Sequence, residues 1–249
     1  MTHDPTQRFS SRVADYVRCR PSYPTDIVNL LARECGLTPN SRIADIGSGT
    51  GLLARLFLDF GCEVVGIEPN SGMRQAGERM LADQTRFLSI DGRAESTTLP
   101  ACSVDVVTAA QAFHWFEPEQ TRAEFLRILR PPNWVVLVWN ERLRAPGFMT
   151  AYEDLVARFG PEREYVAAQE LTQFFGAAGW RMEKLPNQQL FDLDGLRGRF
   201  LSSSYAPLPA TPGYVSAMEE LERIFAEREA EGVVTMLYRT EVYFGKLQA

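Results

Sequence analysis

The chain has 249 residues, of which 45% are hydrophobic and 23% are charged, proportions typical of a globular protein rather than of a membrane-spanning or disordered one. The 26 basic and 32 acidic residues give a net charge of −6, so the chain lacks the basic field that would attract nucleic acid. The 4 cysteines show no C-x-x-C spacing and only 2 histidines occur, so we expect no metal site. A polar amino terminus and the lack of any apolar run long enough to span a membrane predict a cytoplasmic protein without a membrane partner.

The first part of the chain alternates predicted strands with predicted helices. Apolar runs predict strands at residues 42–46, 63–67, 86–90, 104–110 and 134–139, and helical patterns predict helices at 52–60, 71–82 and 119–129. Such alternation is typical of a parallel sheet that is covered by helices on both faces.

Beyond residue 140 the regular alternation weakens. The predicted elements there are helices at 148–159, 169–178 and 214–231, strands at 180–185 and 233–244, and a loop-rich segment at 191–212. We therefore expect one domain in which segments outside the sheet, at both ends of the chain, cover the tips of the strands.

A glycine-rich loop, Gly47-Ser48-Gly49-Thr50-Gly51, follows the first predicted strand and opens the first helix. This order places backbone N–H groups and a helix N-terminus at the carboxyl edge of the sheet, where open α/β folds bind ligands. The dinucleotide pattern G-x-G-x-x-G would need glycine at position 52, where Leu52 stands, so NAD is disfavoured. No G-K-[S/T] occurs anywhere in the chain, which argues against an ATP-binding P-loop.

Asp45 and the glycine loop together read D-x-G-x-G-x-G, which resembles motif I of the class I S-adenosylmethionine-dependent methyltransferases. Glu68 ends the second predicted strand, where an acidic side chain can accept hydrogen bonds from both ribose hydroxyls, and it matches the acidic motif of that family. The segment 92–95 is similar to the adenine-side loop of the family. Segments 20–24 and 111–116 are similar to its small-molecule branch, usually called methyltransferase type 11. The chain departs from the family at Arg130-Pro131-Pro132-Asn133, where Pro-Gly-Gly is usual.

The resemblance implies a Rossmann-like, doubly wound α/β fold: a mainly parallel seven-stranded sheet with helices on both faces and extra helical and loop segments as cover. It implies a single domain over residues 1–249. Within that domain we expect an amino-terminal lid at 1–24, a cofactor-binding core at 40–140 and a cap inserted at 190–232 before the last strand.

The resemblance also implies a set of residues that bind S-adenosylmethionine. They are Arg20, Asp45, Gly47, Ser48, Gly49, Thr50, Gly51, Glu68, Pro69, Met73, Ala94, Glu95 and Gln111. For several of them a structural role competes: Asp45 could order the loop through backbone N–H groups, Met73 could be simple core, and Arg20 could be solvated.

His114 and Tyr16 are the candidate catalytic residues. His114 follows the fourth predicted strand, whose tip faces the transferable methyl group in this family, although a histidine among aromatic residues is often a structural hydrogen-bonding group. The candidate acceptor-binding residues are Tyr23, Phe113, Trp115 and Tyr205. Their aromatic character predicts a small, partly apolar acceptor.

These observations predict methyl transfer to a small organic molecule. The accepting atom is expected to be a carboxylate or hydroxyl oxygen, with a ring carbon as the next candidate. The tip of the fourth strand lacks the [N/D]-P-P-[Y/F] and Pro-Cys sequences of enzymes that methylate DNA, protein glutamine or RNA cytosine. Two alternatives stay open: a non-catalytic S-adenosylmethionine-binding regulatory protein, and a nicotinamide-dependent oxidoreductase that tolerates the early third glycine.

Overall fold

The computed structural model describes residues 19–159, 167–203 and 206–248, and one mixed sheet runs through them. The strands are β1 (Arg42–Ile46), β2 (Glu63–Ile67), β3 (Phe87–Ile90), β4 (Val104–Ala110), β5 (Leu129–Arg142), β6 (Trp180–Phe191) and β7 (Val234–Lys246). Their order across the sheet is β3-β2-β1-β4-β5-β7-β6. Strands β1 to β5 are parallel, whereas β7 runs antiparallel between β5 and β6. The loops that follow β1, β2 and β4 therefore meet at one edge of the sheet.

Helices cover both faces of this sheet, which confirms the predicted fold class. They are α1 (Asp26–Cys35), α2 (Leu52–Phe60), α3 (Ser71–Met80), α4 (Pro118–Ile128), α5 (Phe148–Ala157), α6 (Ala168–Phe175), α7 (Leu193–Leu201) and α8 (Tyr214–Arg228). Successive strand residues point to opposite faces, so Ile43 packs with α1 and α2 while its neighbour Ala44 packs with α4 and α6. Burying each such aliphatic side chain contributes roughly 1.5–3 kcal/mol for Val, Leu or Ile.

Helices α5, α7 and α8 form a separate layer against the amino-terminal half of β7. We call the apolar core of this layer the cap cluster. Its buried residues are Cys19, Phe148, Met149, Tyr152, Leu155, Val156, Phe191, Leu196, Phe200, Ala206, Ala217, Leu221, Ile224, Val234, Met236 and Tyr238. The cluster includes α5, so the packed layer draws on residues before the cap that we predict at 190–232.

Two predictions for the second half of the chain were wrong. Strand β6 does not end at residue 185 but continues to Phe191, because an antiparallel edge strand tolerates Pro186 and the polar residues around it. The segment 191–212 is not simply loop-rich, since it contains α7. Asp192 caps that helix, its side chain accepting a hydrogen bond from the backbone N–H of Gly195.

The departure at residues 130–133 lies within β5 but disturbs its pairing with β4: Leu129 pairs with Val104 and Trp134 with Val106, so the four residues between them form an irregular bulge. Asn133 adopts a left-handed conformation with φ of 65°, which asparagine tolerates better than most residues. Its Nδ2 donates to the carbonyl of Leu247 at 3.2 Å and so ties the start of β5 to the end of the chain.

Two features are absent from the described segments. None of their helices combines the length and the apolarity needed to cross a membrane. Nor do these residues bring together a group of three or more His, Cys, Asp or Glu side chains that could hold a metal ion.

Candidate functional site

A cleft of about 310 Å³ opens at the carboxyl ends of β1, β2 and β4. The predicted site residues that line it are Arg20, Gly47, Gly49, Glu68, Pro69, Met73, Ala94, Glu95, Gln111, His114 and Trp115. Six further residues line it that were not among the predicted site residues: Asn70, Gly92, Arg93, Ala110, Ala112 and Phe116. All six are sequence neighbours of predicted residues, so adjacency to the motifs could have identified them.

The glycine loop forms the floor of the cleft. The N–H groups of Gly47 and Ser48 both donate to the carbonyl of Ile67, at 2.8 and 3.2 Å, which pins the loop to the end of β2. Gly47, Gly49 and Gly51 have φ values of 67°, 56° and 81°, in the left-handed region that favours glycine. A Cβ on Gly47 would lie 2.7 Å from the Cβ of Ala112. This turn therefore requires glycine for both its backbone conformation and its close packing.

Glu68 connects the floor of the cleft to its side wall. One carboxylate oxygen accepts a hydrogen bond from the N–H of Gly49 at 2.9 Å, and the other accepts from the N–H of Asn70 at 2.8 Å. Burial raises the pKa of this carboxyl, and the two backbone donors act in the opposite direction. Because each carboxylate oxygen has two lone pairs, the side chain keeps acceptor capacity toward the cleft.

Asp45 lies behind the glycine loop and does not line the cleft, unlike the direct contact that we predicted. It is 1% exposed, and one of its oxygens accepts a hydrogen bond from the Thr108 hydroxyl at 2.8 Å. Burial raises the pKa of Asp45 to about 7. No hydrogen-bond partner for its second oxygen is found among the described residues. Asp45 therefore ties β1 to β4 behind the loop, and its role toward the cofactor stays a prediction.

Three other predicted loop residues also lie outside the lining. The Ser48 hydroxyl turns toward β2, where a Cβ on Gly66 would approach it to 2.9 Å. Thr50 is buried, and Gly51 is the N-cap of α2. These residues shape the loop and the start of the helix and leave the cleft to Gly47 and Gly49.

Helix α3 and the loop after β3 form the second wall. The Asn70 side chain caps α3 by accepting a hydrogen bond from the N–H of Met73 at 3.0 Å, which holds the Met73 side chain at the cleft. Across from it, a Glu95 carboxylate oxygen accepts from the N–H of Glu117 at 2.9 Å. That contact ties the adenine-side loop to the segment that follows β4.

The turn after β4 forms the third wall and has two faces. His114 and Trp115 are exposed at the mouth of the cleft, with their ring centroids 4.8 Å apart. Phe113 points the other way: it is 5% exposed and packs edge-to-face on Phe174 with centroids 4.8 Å apart. Phe113, which we predicted to contact the acceptor, therefore does not line the cleft, because a 3-10 turn directs its side chain into the core. Phe116 lines the cleft in its place.

The remaining predicted residues lie on the segment before the sheet or outside the described residues. Arg20 lines the cleft, and its Nη2 donates to the carbonyl of Ser202 at 2.9 Å. Tyr23 does not line the cleft and packs against the core on the side of α1 and α2. Tyr16 and Tyr205 lie outside the described residues, so their roles stay predictions.

Comparison with known sequences identifies methyltransferases as relatives. A family model described as a methyltransferase domain matches residues 44–137, which contain the floor and walls of the cleft. An uncharacterized methyltransferase of Mycobacterium tuberculosis is 34% identical over 168 residues, a match that spans 67% of this chain and 66%, just under two thirds, of the relative. An uncharacterized methyltransferase of Schizosaccharomyces pombe is 27% identical over 225 residues, or 88% of this chain and 84% of the relative.

Solved structures of methyltransferases share the fold over most of the chain. A protein described as a type II methyltransferase from Anaeromyxobacter dehalogenans has a TM-score of 0.72 at 22% identity, covering 92% of this chain and 99% of its own. An S-adenosylmethionine-dependent methyltransferase from Geobacter sulfurreducens, in complex with S-adenosyl-L-homocysteine, has a TM-score of 0.54 at 19% identity, covering 99% and 100%. Motif I, the acidic residue after β2, the matching family model and this fold agree. Residues 44–137 of this chain form a methyltransferase domain, with the motif I and the acidic residue that are typical of the class I S-adenosylmethionine-dependent type.

Proposed function

We propose that this chain transfers the methyl group of S-adenosylmethionine to a small organic acceptor. A carboxylate or hydroxyl oxygen is the preferred candidate for the accepting atom, and a ring carbon is the second candidate. One observation carries the proposal. The glycine loop and Glu68 face the same cleft as the exposed His114 and Trp115 and the half-buried Phe116 of the aromatic turn. A cofactor wall and an acceptor wall thus share one cavity.

The residues of the cleft fit the cofactor. Gly47 and Gly49 leave the floor without side chains, so a ligand can approach the backbone closely. Glu68 offers carboxylate acceptors for the ribose hydroxyls, and Pro69 with Met73 offers an apolar surface for the purine. Arg20 supplies a guanidinium for the carboxylate of the methionine moiety. When bound, S-adenosylmethionine supplies an electrophilic methyl group on a sulfonium sulfur, which leaves readily as a neutral thioether.

The chemistry required of the chain itself is mainly positioning. Holding the acceptor in line with the methyl group and excluding water can lower the barrier without a covalent intermediate. Trp115 and Phe116 provide apolar surface for a flat or partly apolar acceptor. His114, at the mouth of the cleft, is placed to accept a proton from a hydroxyl acceptor, whereas a carboxylate acceptor needs no base.

A screen of acceptors tests the proposal. Purified protein is incubated with S-adenosylmethionine and with panels of carboxylic acids, phenols, quinones and nucleic acids, and S-adenosylhomocysteine formation is measured. Turnover with a small acid or phenol, and its loss in His114→Ala for phenols alone, is the expected result. Turnover confined to nucleic acid would overturn the proposed acceptor class. Tight S-adenosylhomocysteine binding without turnover on any panel would favour the non-catalytic alternative.

We also propose that residues 1–24 and 190–232 cover this cleft. The contact of Arg20 with Ser202 supports the proposal, because it joins the two segments at the cleft wall. Hydrogen exchange with and without S-adenosylhomocysteine tests it, since the ligand should protect amides of both segments as well as those of the glycine loop. Protection confined to the loop would contradict a covering role.

A further inference from the structure

Two asparagine side chains hold one backbone carbonyl above the carboxyl edge of the sheet. The carbonyl of Ser22 accepts hydrogen bonds from Nδ2 of Asn187 at 2.8 Å and from Nδ2 of Asn140 at 3.2 Å. The Oδ1 of Asn140 in turn accepts from Asn187 and from the hydroxyl of Thr240. Asn140 is 9% exposed and Thr240 is fully buried, so the arrangement is built into the carboxyl halves of β5 and β6 and the middle of β7.

Both ends of this network reach the cofactor cleft. On one side, the backbone carbonyl of Asn140 accepts a hydrogen bond from Nε2 of Gln111 at 3.2 Å, and Gln111 lines the cleft. On the other side, Ser22 lies two residues after Arg20, whose side chain also lines the cleft. The network therefore joins the tip of β4 to the segment that carries Arg20.

The segment around Arg20 has no sheet partner to fix it. Residues 20–24 form neither a helix nor a strand, so side-chain packing, such as that of Tyr23, and hydrogen bonds from other elements fix their position. Gln189 of β6 supports the same segment by donating to the carbonyl of Cys19 at 3.4 Å. An amide is the group that suits position 140, because it donates to Ser22 while accepting from Thr240. A carboxylate there would lose the donor and repel the carbonyl.

We propose that Asn140 and Asn187 are positioning residues that fix the Ser22 carbonyl and thereby place the Arg20 guanidinium in the cofactor cleft. This inference rests on the proposed role of Arg20 toward the cofactor. It gives a function to residues 140–142 of β5 and 186–191 of β6, which extend these strands beyond their predicted ends and hold the amino-terminal segment.

Isothermal titration with S-adenosylhomocysteine tests the proposal on the full chain. Asn187→Asp and Asn140→Asp each remove one donor to Ser22 and should weaken binding about five- to tenfold, the loss expected when a hydrogen bond to a positioned group is broken. Asn133→Asp is the matched control: Asn133 also donates from Nδ2 to a backbone carbonyl at 3.2 Å, but at the opposite end of β5. It should leave the affinity within about twofold of that of the unmodified chain.

A double-mutant cycle separates positioning from general damage. In an Arg20→Ala background, Asn187→Asp should change the affinity by less than about twofold, because its effect acts through Arg20. An equal loss in both backgrounds would overturn the proposal. If Arg20→Ala alone leaves binding unchanged, the proposed role of Arg20 toward the cofactor fails. If Arg20→Ala weakens binding but the asparagine variants bind normally, only the positioning role of the asparagines fails.

Hydrogen exchange supplies a second readout. The amides of Cys19, Arg20, Ser22 and Tyr23 should exchange faster in Asn187→Asp than in the unmodified chain, while those of β1 and β2 keep their protection. Asn187 is half-buried on an edge strand, so this variant remains testable if the buried Asn140→Asp fails to fold. Unchanged exchange of these four amides in a folded Asn187→Asp would overturn the proposal.

Discussion

Gly47 and Gly36 share a backbone conformation but differ in their surroundings. Comparing them separates the need for a left-handed conformation from the need for space at the Cβ position. Their φ values are 67° and 71°. An added Cβ would meet Ala112 at 2.7 Å at Gly47 and nothing within 4 Å at Gly36. We predict that Gly36→Ala loses about 1–2 kcal/mol of unfolding free energy, the cost of a left-handed conformation, and that Gly47→Ala loses more, because the new Cβ also forces Ala112 to shift.

Only Gly47→Ala should also weaken S-adenosylhomocysteine binding, by about tenfold or more, because Ala112 must shift and it forms part of the cleft wall. Urea unfolding and calorimetric titration of both variants measure the two effects. Equal affinities in the two variants would show that the contact with Ala112 does not shape the site.

The raised pKa of the buried Asp45 carboxyl predicts that the stability of the fold depends on pH. Burial raises its pKa to about 7, so the folded protein holds this proton more tightly than the unfolded chain, whose aspartates titrate near ~3.9. Between these two values the unfolding free energy must fall as the pH rises. Glu68 contributes in the same direction, because burial raises its pKa as well. The comparison with a variant at position 45 isolates the contribution of Asp45.

Asp45→Asn cannot titrate, so its unfolding free energy should fall less between pH 5 and pH 8 than that of the unmodified chain, by ~1 kcal/mol or more. Urea unfolding at intervals across this range measures the difference. Parallel profiles for the two proteins would mean that Asp45 ionises normally behind the loop.

At the level of single residues, the sequence predicts which residues lie near the site better than it predicts where their side chains point. Glu68 could be located because spacing from Asp45 places it at the end of the next parallel strand. The burial of Asp45 depends on Thr108, which the register of β1 with β4 places beside it. That contact lies 63 residues away along the chain. No local pattern reports such a neighbour.

The turn after β4 shows the same limit at the level of an element. Phe113 and Trp115 are two residues apart and both carry aromatic side chains, yet one is 5% and the other 40% exposed. We predict that Phe113→Ala lowers the unfolding free energy by about 3–5 kcal/mol, the range for buried phenylalanine, because it removes the contact with Phe174.

Trp115→Ala should change stability by less than about 0.5 kcal/mol, as exposed substitutions usually do. It should instead raise the KM of the acceptor found in the screen. Thermal unfolding and steady-state kinetics of the pair measure both effects. A stability loss in Trp115→Ala equal to that of Phe113→Ala would contradict the two-faced turn.

Elements of the parallel core were predictable because both of their faces are buried. Strands such as β1 and β2 are short, apolar and bounded by turns, so periodicity and punctuation locate them. Strand β6 lies at the edge of the sheet and has many exposed side chains, so its carboxyl half has the composition of a loop. Antiparallel pairing with β7 supplies the hydrogen bonds that extend it, and this pairing depends on the tertiary fold.

On the scale of the whole molecule, three apolar clusters divide the chain into a cofactor-binding body and a cap. Two clusters lie on opposite faces of the same sheet and share its strands. The cap cluster meets the body mainly along the amino-terminal half of β7. The cofactor residues sit on the body, and the cap helices reach the cleft through the contact of Ser202 with Arg20.

This division predicts that the cap and the body open separately in the native state. Leu221 of α8 is fully buried in the cap cluster, and Leu53 of α2 is 2% exposed in the body, directly behind the glycine loop. Each leucine-to-alanine change should cost about 2–5 kcal/mol locally. Native-state hydrogen exchange should show the loss in α5, α7 and α8 for Leu221→Ala, and in β1, β2 and α2 for Leu53→Ala. If both variants instead lose protection evenly throughout the chain, the cap and the body unfold as one cooperative unit.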